Sequence, residues 1–388
     1  MASEGNQPFL PLDIIINILK RVSVKSIVQF RSVCKDWKNL FKTPNFIAEQ
    51  ARHSAHQNPL LLLHESDYDY KATPPFLRLV NQKMETVEVL TIPSINCFKH
   101  GWKIIGSCNG LLCIQVHPDQ GRSPCSLCLW NPVIREVREI PETTRNARND
   151  YLDMHKFGLG FSSVINDFKI VKFYKQELHK KKNKKKAALL RHHGVEVYSL
   201  STGSWKELEF VALQNTTIIS KASSVDGTIF WLGLQDSCHV LVSFDVGTEV
   251  LTTTQIPLTS RHQVYKTTTT LSVYQNKFAI YQYYCDCSFN SIDIWAMEEV
   301  ATESGKSFSC VKICNVSTIA YFFGPLCIWR NEIVCRDEVE NVSERKYYLE
   351  LFNVTTKKGK KFPDSDSSVY HFCAGFNYEE SLMSVWNS

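Results

Sequence analysis

Residues able to do chemistry are present but poorly grouped. Cys125-Ser126-Leu127-Cys128 has the spacing of a zinc knuckle, Cys285-Asp286-Cys287 leaves one residue between its thiols, and Cys310 and Cys314 stand four apart. A structural zinc site takes four ligands in two paired clusters, and no second pair lies near Cys125 and Cys128. Neither His192-His193 nor the set His53, His56 and His64 has a cysteine or carboxylate at ligand spacing. The sequence contains no G-x-S-x-G, no G-x-x-x-x-G-K-[ST] and no H-E-x-x-H, and Gly101, Gly106 and Gly110 do not compose a dinucleotide fingerprint. The expectation is a protein without a metal, a cofactor or a catalytic site of its own, whose cysteines are ordinary core or loop residues.

Charge is the second chemical signal. The 388 residues carry a formal +5, yet residues 175–191 alone hold +7 and the rest of the chain −2. Lys180, Lys181, Lys182, Lys184, Lys185 and Lys186 form the centre of this run. Three readings fit it: a solvated loop, a nuclear-import signal, or a patch for an acidic partner. A nucleic-acid-binding surface spread over a domain is not expected, and no aromatic residue lies between Gln176 and His193 to stack a base.

Composition places the chain among globular proteins, with 44% hydrophobic and 21% charged residues. No run of 18 apolar residues suggests a membrane span, and Met1 to Gln7 lacks the pattern of a secretory signal. A cytoplasmic or nuclear protein is expected. The sequons at Asn215, Asn315, Asn341 and Asn353 then carry no glycan, and the 14 cysteines stay reduced.

The elements that would position such residues change near residue 50. Leu12, Ile15, Ile16 and Leu19 recur at helical spacing, broadened by Ile14 and Ile18, with Pro11 at the first turn. Ser23 caps a second short helix bearing Val24, Ile27, Val28 and Phe30; a third carries Val33, Cys34, Trp37, Leu40 and Phe41 before Pro44 stops it. Three short helices bury little surface by themselves, so this unit is expected to lean on a partner.

From about residue 60, short runs rich in Val, Ile, Phe, Tyr and Trp alternate with turns. Asn109-Gly110 and Asp226-Gly227 predict tight hairpins, and Asn276-Lys277 and Asn331-Glu332 repeat the pattern with weaker turn chemistry. A longer unit also recurs: an aromatic strand residue, a turn former, then Thr or Ile. Copies start at Trp130, Tyr198, Phe244 and Phe352, with a degenerate one at Trp295, separated by 68, 46, 51 and 57 residues. Periods near ~50 residues predict propeller blades, six or seven of them, with the lysine run inserted at a blade loop; a large sandwich is the other architecture such strands allow.

The first segment, Phe9-Leu10-Pro11-Leu12-Asp13-Ile14 to Arg21 and Val24-Lys25-Ser26-Ile27 to Trp37, resembles the F-box of plant F-box proteins. The remainder resembles the type 1 F-box-associated interaction region, also labelled kelch-like, through Gly106-Ser107-Cys108-Asn109-Gly110-Leu111-Leu112, Leu129-Trp130-Asn131-Pro132 with Arg135-Glu136, Gly158-Leu159-Gly160-Phe161, Asp167 to Val171 and Ile294-Trp295. Two departures stand out. Val22-Ser23 occupies the place where the family commonly has Leu-Pro, which removes one apolar contact, and no Gly-Gly doublet of true kelch blades occurs.

The resemblance implies an all-α F-box of three helices at 4–48, a linker at 49–58 and an all-β propeller at 59–388 with a Lys-rich loop at 175–192. It implies a substrate-recognition subunit of a Skp–cullin–F-box ubiquitin ligase, joined to cullin through a Skp-type adaptor and holding an unidentified protein target. By the same resemblance Leu10, Pro11, Ile14, Ile18, Val24, Ile27, Val33 and Trp37 form the adaptor face or its immediate support. Subclasses resemble S-locus F-box proteins or regulators of immune and hormone pathways. Polar loops around Cys285–Asn290, Thr143–Asp153 and Arg261–Lys266 are candidates for target recognition. The rival from another class is a glycan- or protein-binding propeller, or a propeller enzyme, unconnected to ubiquitin.

Overall fold

In the computed structural model, the described residues are 10–54, 59–67, 76–93, 102–116, 126–143, 156–178, 190–208, 216–236, 238–258, 266–274, 277–285, 290–302, 305–318, 322–341, 344–362 and 370–386. Among them are four helices, α1 (Leu12–Leu19), α2 (Val24–Phe30), α3 (Lys35–Leu40) and α4 (Pro44–Ser54). None is long and apolar enough to cross a membrane. The fourth was not expected from sequence. Pro44 starts a helix instead of ending one, with the Thr43 hydroxyl accepting from the Phe46 N–H at 3.4 Å as its cap. The segment 49–58, expected as a linker, is therefore helical as far as Ser54.

The strands follow in blade order. The first blade takes β1 (Leu60–Asp67), β2 (Phe76–Val80) and β3 (Thr86–Leu90). The second is β4 (Trp102–Cys108), β5 (Leu111–Val116), β6 (Ser126–Asn131) and β7 (Glu136–Ile140). The third is β8 (Lys156–Ser162), β9 (Asp167–Leu178), β10 (Leu190–Ser199) and β11 (Ser204–Leu208). The fourth has a divided inner strand, β12 (Thr216–Ile218) with β13 (Ser223–Val225), then β14 (Thr228–Gln235), β15 (Cys238–Asp245) and β16 (Leu251–Gln255). The fifth is β17 (Lys266–Tyr274), β18 (Lys277–Cys285), β19 (Asn290–Thr302) and β20 (Gly305–Thr318). The sixth is β21 (Phe322–Trp329), β22 (Glu332–Asn341), β23 (Glu344–Asn353) and β24 (Lys358–Lys361).

The last strand, β25 (Tyr370–Tyr378), pairs antiparallel with β1 from Leu60↔Tyr378 to Asp67↔Tyr370. It is the inner strand of the first blade, so the two ends of the domain close a ring of six sheets. That fixes six as the blade number and removes the sandwich. Apolar side chains fill each seam between blades: Trp231 with Phe173 and Phe244, Trp329 with Leu61 and Val334, Trp130 with Leu62 and Tyr378.

The repeat visible in the sequence has a physical cause. Trp130, Tyr198, Phe244, Trp295 and Phe352 all lie on the third strand of a blade. At four of them the next side chain closes the outer turn: Asn131 accepts from Val133 N–H (3.0 Å), Ser199 from Thr202 (3.4 Å), Asp245 from Thr248 (2.7 Å) and Asn353 from Thr356 (2.8 Å). Five residues after each aromatic the chain turns left-handed, at Arg135, Gly203, Glu249 and Lys357, with φ of 58°, 66°, 60° and 56°. Trp295 lacks this turn because β19 continues to Thr302. The first blade hides its copy, with Val80 in the aromatic place and Asn81 accepting from Lys83 N–H at 2.9 Å.

Hairpins at Asn109-Gly110 and Asp226-Gly227 form as expected, with positive φ at both central residues of each. The others shift by one residue. Trp329 pairs with Glu332, so the loop is Arg330-Asn331, at φ 53° and 64°; Lys277 pairs with Tyr274 and is strand, and Asn276 lies outside the described residues. The Lys-rich loop also contracts, because Lys175–Leu178 pair with Leu190–His193 as strand. Lys180 to Lys186 lie outside the described residues.

Candidate adaptor interface and the opposite face

Short caps and an aromatic ladder build the helical module. The Ser23 hydroxyl accepts from Ser26 N–H at 3.3 Å and the Cys34 thiol from Trp37 N–H at 3.5 Å, starting α2 and α3. Phe30, Trp37, Phe41 and Phe46 then pack in sequence as tilted ring pairs at centroid distances of 5.8, 6.1 and 5.1 Å. Leu19, Val24, Ile27, Phe41 and Phe46 are buried beside them.

This packing divides the residues that the resemblance implies for the adaptor. Val24 and Ile27 are core, at 2% and 0% exposure, so they support the surface and do not form it. Trp37 is half-buried in the ladder. Leu10, Ile14, Ile18 and Val33 remain 42%, 47%, 51% and 62% exposed, with Pro11 and Leu12 also outside. Ile14 and Ile18, four residues apart on α1, share one apolar side that faces solvent, while Leu19 is buried in the core; Leu10 is exposed just before the helix.

A different side of the module rests on the propeller. Leu382 is buried in the helical core, with Met383, Val133 and Ile134 packed against it. Lys25 on α2 reaches Glu88 of β3 at 2.6 Å and Glu380 at 3.3 Å. Burial opposes the Lys25 charge, but these two carboxylates outweigh it and raise its pKa.

Strand alternation decides what the far side holds. In every blade the inner-to-second and third-to-outer turns share one face, and the second-to-third hairpins and blade-to-blade connections share the other. The module sits on the first face, against Val133 and Ile134 of the outer turn in the second blade. The three candidate recognition loops spring from the second: Cys285 and Asn290 flank a second-to-third hairpin, while Thr143 and Lys266 flank blade connections. So does the β9–β10 hairpin that leads into the lysine run. At its described margin, Lys172 is buried between Glu196 (3.4 Å) and the Thr143 hydroxyl (3.0 Å).

The chemical residues singled out in the sequence are not gathered. Cys128 is buried in β6, and Cys310 and Cys314 lie along β20. Burial pushes the thiols of Cys108 and Cys327 up to about 12, which keeps them protonated and unreactive. His64 stacks on Trp102 at 4.8 Å, and burial lowers its pKa to about 4. Among the described residues no group of three or more His, Cys, Asp or Glu is placed to hold a metal ion.

Family comparison agrees with both halves. Residues 9–49 match the F-box domain, and residues 65–385 match the F-box associated beta propeller domain. The chain belongs to the F-box proteins with an F-box associated β-propeller. Its relatives in Arabidopsis thaliana include F-box/kelch-repeat protein At3g23880, 23% identical over 82% of each chain. Another is F-box protein At3g22700, 26% identical over 62% of this chain and 67% of that one. A further F-box/kelch-repeat relative is 24% identical over 97% of this chain and 98% of its own. A putative F-box protein of the same plant is 26% identical over 62% of this chain and 60% of its own length, so the chain spans less than two thirds of that relative.

For this F-box protein the sequence reading missed one segment that contacts both domains, residues 379–386. It has no periodicity. Its signal lay in the partners, since Asn109-Gly110, Trp130-Asn131-Pro132 and Arg135-Glu136 were legible as motifs but not as its anchors.

Proposed function

We propose that this chain is the substrate-recognition subunit of a Skp–cullin–F-box ubiquitin ligase. The F-box binds a Skp-type adaptor, which connects it to cullin, and the propeller holds a protein target for ubiquitination. The observation that carries the reading is the stripe Ile14 and Ile18 on α1, left exposed together with Leu10 and Val33 on a helical module whose other side is occupied by the propeller. Such a stripe suits docking into an apolar groove of a partner. Catalysis in such an assembly comes from holding a target near a ubiquitin-loaded enzyme, so the chain needs no reactive centre. The target is assigned to the loop-bearing face opposite the F-box, where recognition loops stand on a rigid scaffold.

Co-expression with a Skp-type adaptor tests the reading. A one-to-one complex on size exclusion supports it. A chain that elutes alone favours a propeller that binds glycans or proteins outside the ubiquitin system.

A further inference from the structure

Residues 379–386 follow the last propeller strand and run between the two domains. On one side they enter the F-box, where Leu382 is buried with Leu19, Ile27 and Phe46. On the other they are held by the second blade at each polar step. The Asn131 side chain, wholly buried, donates to the carbonyls of Ser381 (3.0 Å) and Met383 (2.8 Å). Glu136 accepts from the Ser384 hydroxyl (2.6 Å) and the Val385 N–H (3.1 Å). Arg138 donates to the Val385 carbonyl at 3.2 Å and lies over the Trp386 ring at 5.5 Å. Val385 itself is buried in the seam between the second and third blades.

Gly110 completes the path. It sits at φ 76°, and a Cβ there would stand 2.8 Å from the Glu379 carbonyl and 2.9 Å from the Ser381 nitrogen. The Asn-Gly turn thus makes a hairpin and also lets the segment pass. Outside the segment, the described contacts between the F-box and the propeller include Val133 and Ile134, the exposed Lys25–Glu88 pair, and Arg31, whose charge faces Glu136. A solvent-exposed ion pair contributes little.

We propose that Glu379–Trp386 is a positioning strap that fixes the angle of the F-box on the propeller, setting one separation between the stripe on α1 and the opposite loops. Its consequence for ubiquitin transfer rests on the ligase reading above; the rigid joint does not. The strap's alternation explains the device, because Leu382 faces the helices and Val385 the blades, so neither domain can turn without exposing one of them.

The test uses the full chain with spin labels on non-canonical residues at Lys38 of α3 and Asp236 of the fourth blade. The unmutated protein should give one narrow distance distribution. Leu382→Asp, at a side chain buried in the F-box core, leaves the anchors on the second blade in place and should widen it by about twofold. Should that variant fold poorly, Leu382→Ala should widen the distribution less, with the propeller melting transition unchanged. A broad distribution in the unmutated chain, or an equally narrow one in both variants, overturns the proposal. Because no adaptor is present, failure to bind adaptor would leave this readout intact, and a loose joint would leave adaptor binding open.

Discussion

The side-chain amide of Asn131 and the carbonyl of Ser381 are joined by a 3.0 Å hydrogen bond across 250 residues of sequence. The same NH2 group also serves the Met383 carbonyl, while its oxygen closes the turn at Val133, so one buried amide shapes a blade and holds the strap. Asn131→Ala should destabilise the propeller by about 2 kcal/mol, because the strap carbonyls lose their donor in a dry site. Asn131→Asp should cost more, since it sets a carboxylate oxygen against two carbonyls. Urea denaturation measures both.

Gly110 and Gly227 occupy equivalent inner turns at φ 76° and 78°, yet their surroundings differ. A Cβ on Gly227 would meet nothing closer than the Phe161 carbonyl at 3.7 Å, whereas one on Gly110 would strike the strap. Gly227→Ala should therefore cost about 1 kcal/mol from backbone strain alone, and Gly110→Ala at least about twice that. Equal losses in thermal melting would show that the strap yields freely.

His64 and Glu65, neighbours on β1, should give opposed pH dependences. Burial lowers the His64 pKa to about 4, so stability from its neutral form rises with pH between about 4 and the ordinary imidazole value of 6.5. Burial raises the Glu65 pKa to about 7 despite Arg78 at 2.9 Å, so the folded state keeps a proton that the unfolded state loses. Its contribution falls as pH rises from the ordinary carboxylate value of 4.5 to about 7. The two largely cancel below 6.5. Glu65→Gln should expose the His64 limb, making the protein lose stability on acidification; His64→Phe should expose the Glu65 limb, with stability falling toward neutral pH. Denaturation series at several pH values separate them.

Ile27 and Ile18 give the sharpest contrast within the F-box. Ile27→Ala should lower stability by about 3 kcal/mol, since it empties a wholly buried position. Ile18→Ala, at a half-exposed position, should change melting little.

The features legible in the sequence were those written locally. Asn109-Gly110 announced its hairpin because the turn needs two positive φ values, and the aromatic repeat announced blades because a polar residue beside each aromatic closes the turn. Helix α4 was hidden because Pro44 reads equally as an end or a beginning, and only the Thr43 cap resolves it. The first blade was hidden because Val80 replaces the aromatic and its inner strand comes from the far end of the chain. The adaptor residues implied by the resemblance joined surface and support because a resemblance in sequence does not say which side of a 40-residue module meets the propeller. Burial separates Ile14 and Ile18 from Val24 and Ile27. The strap was invisible because each of its anchors is a long-range contact.

The most direct measurement of the central claim is calorimetric titration of a purified Skp-type adaptor into the full chain and into Ile14→Asp with Ile18→Asp. The expected result is a one-to-one complex with the unmutated chain and an affinity at least about 100-fold weaker for the variant, with an unchanged melting temperature. No heat of binding with the unmutated chain, or equal affinity for both, would contradict adaptor docking through the exposed stripe on α1.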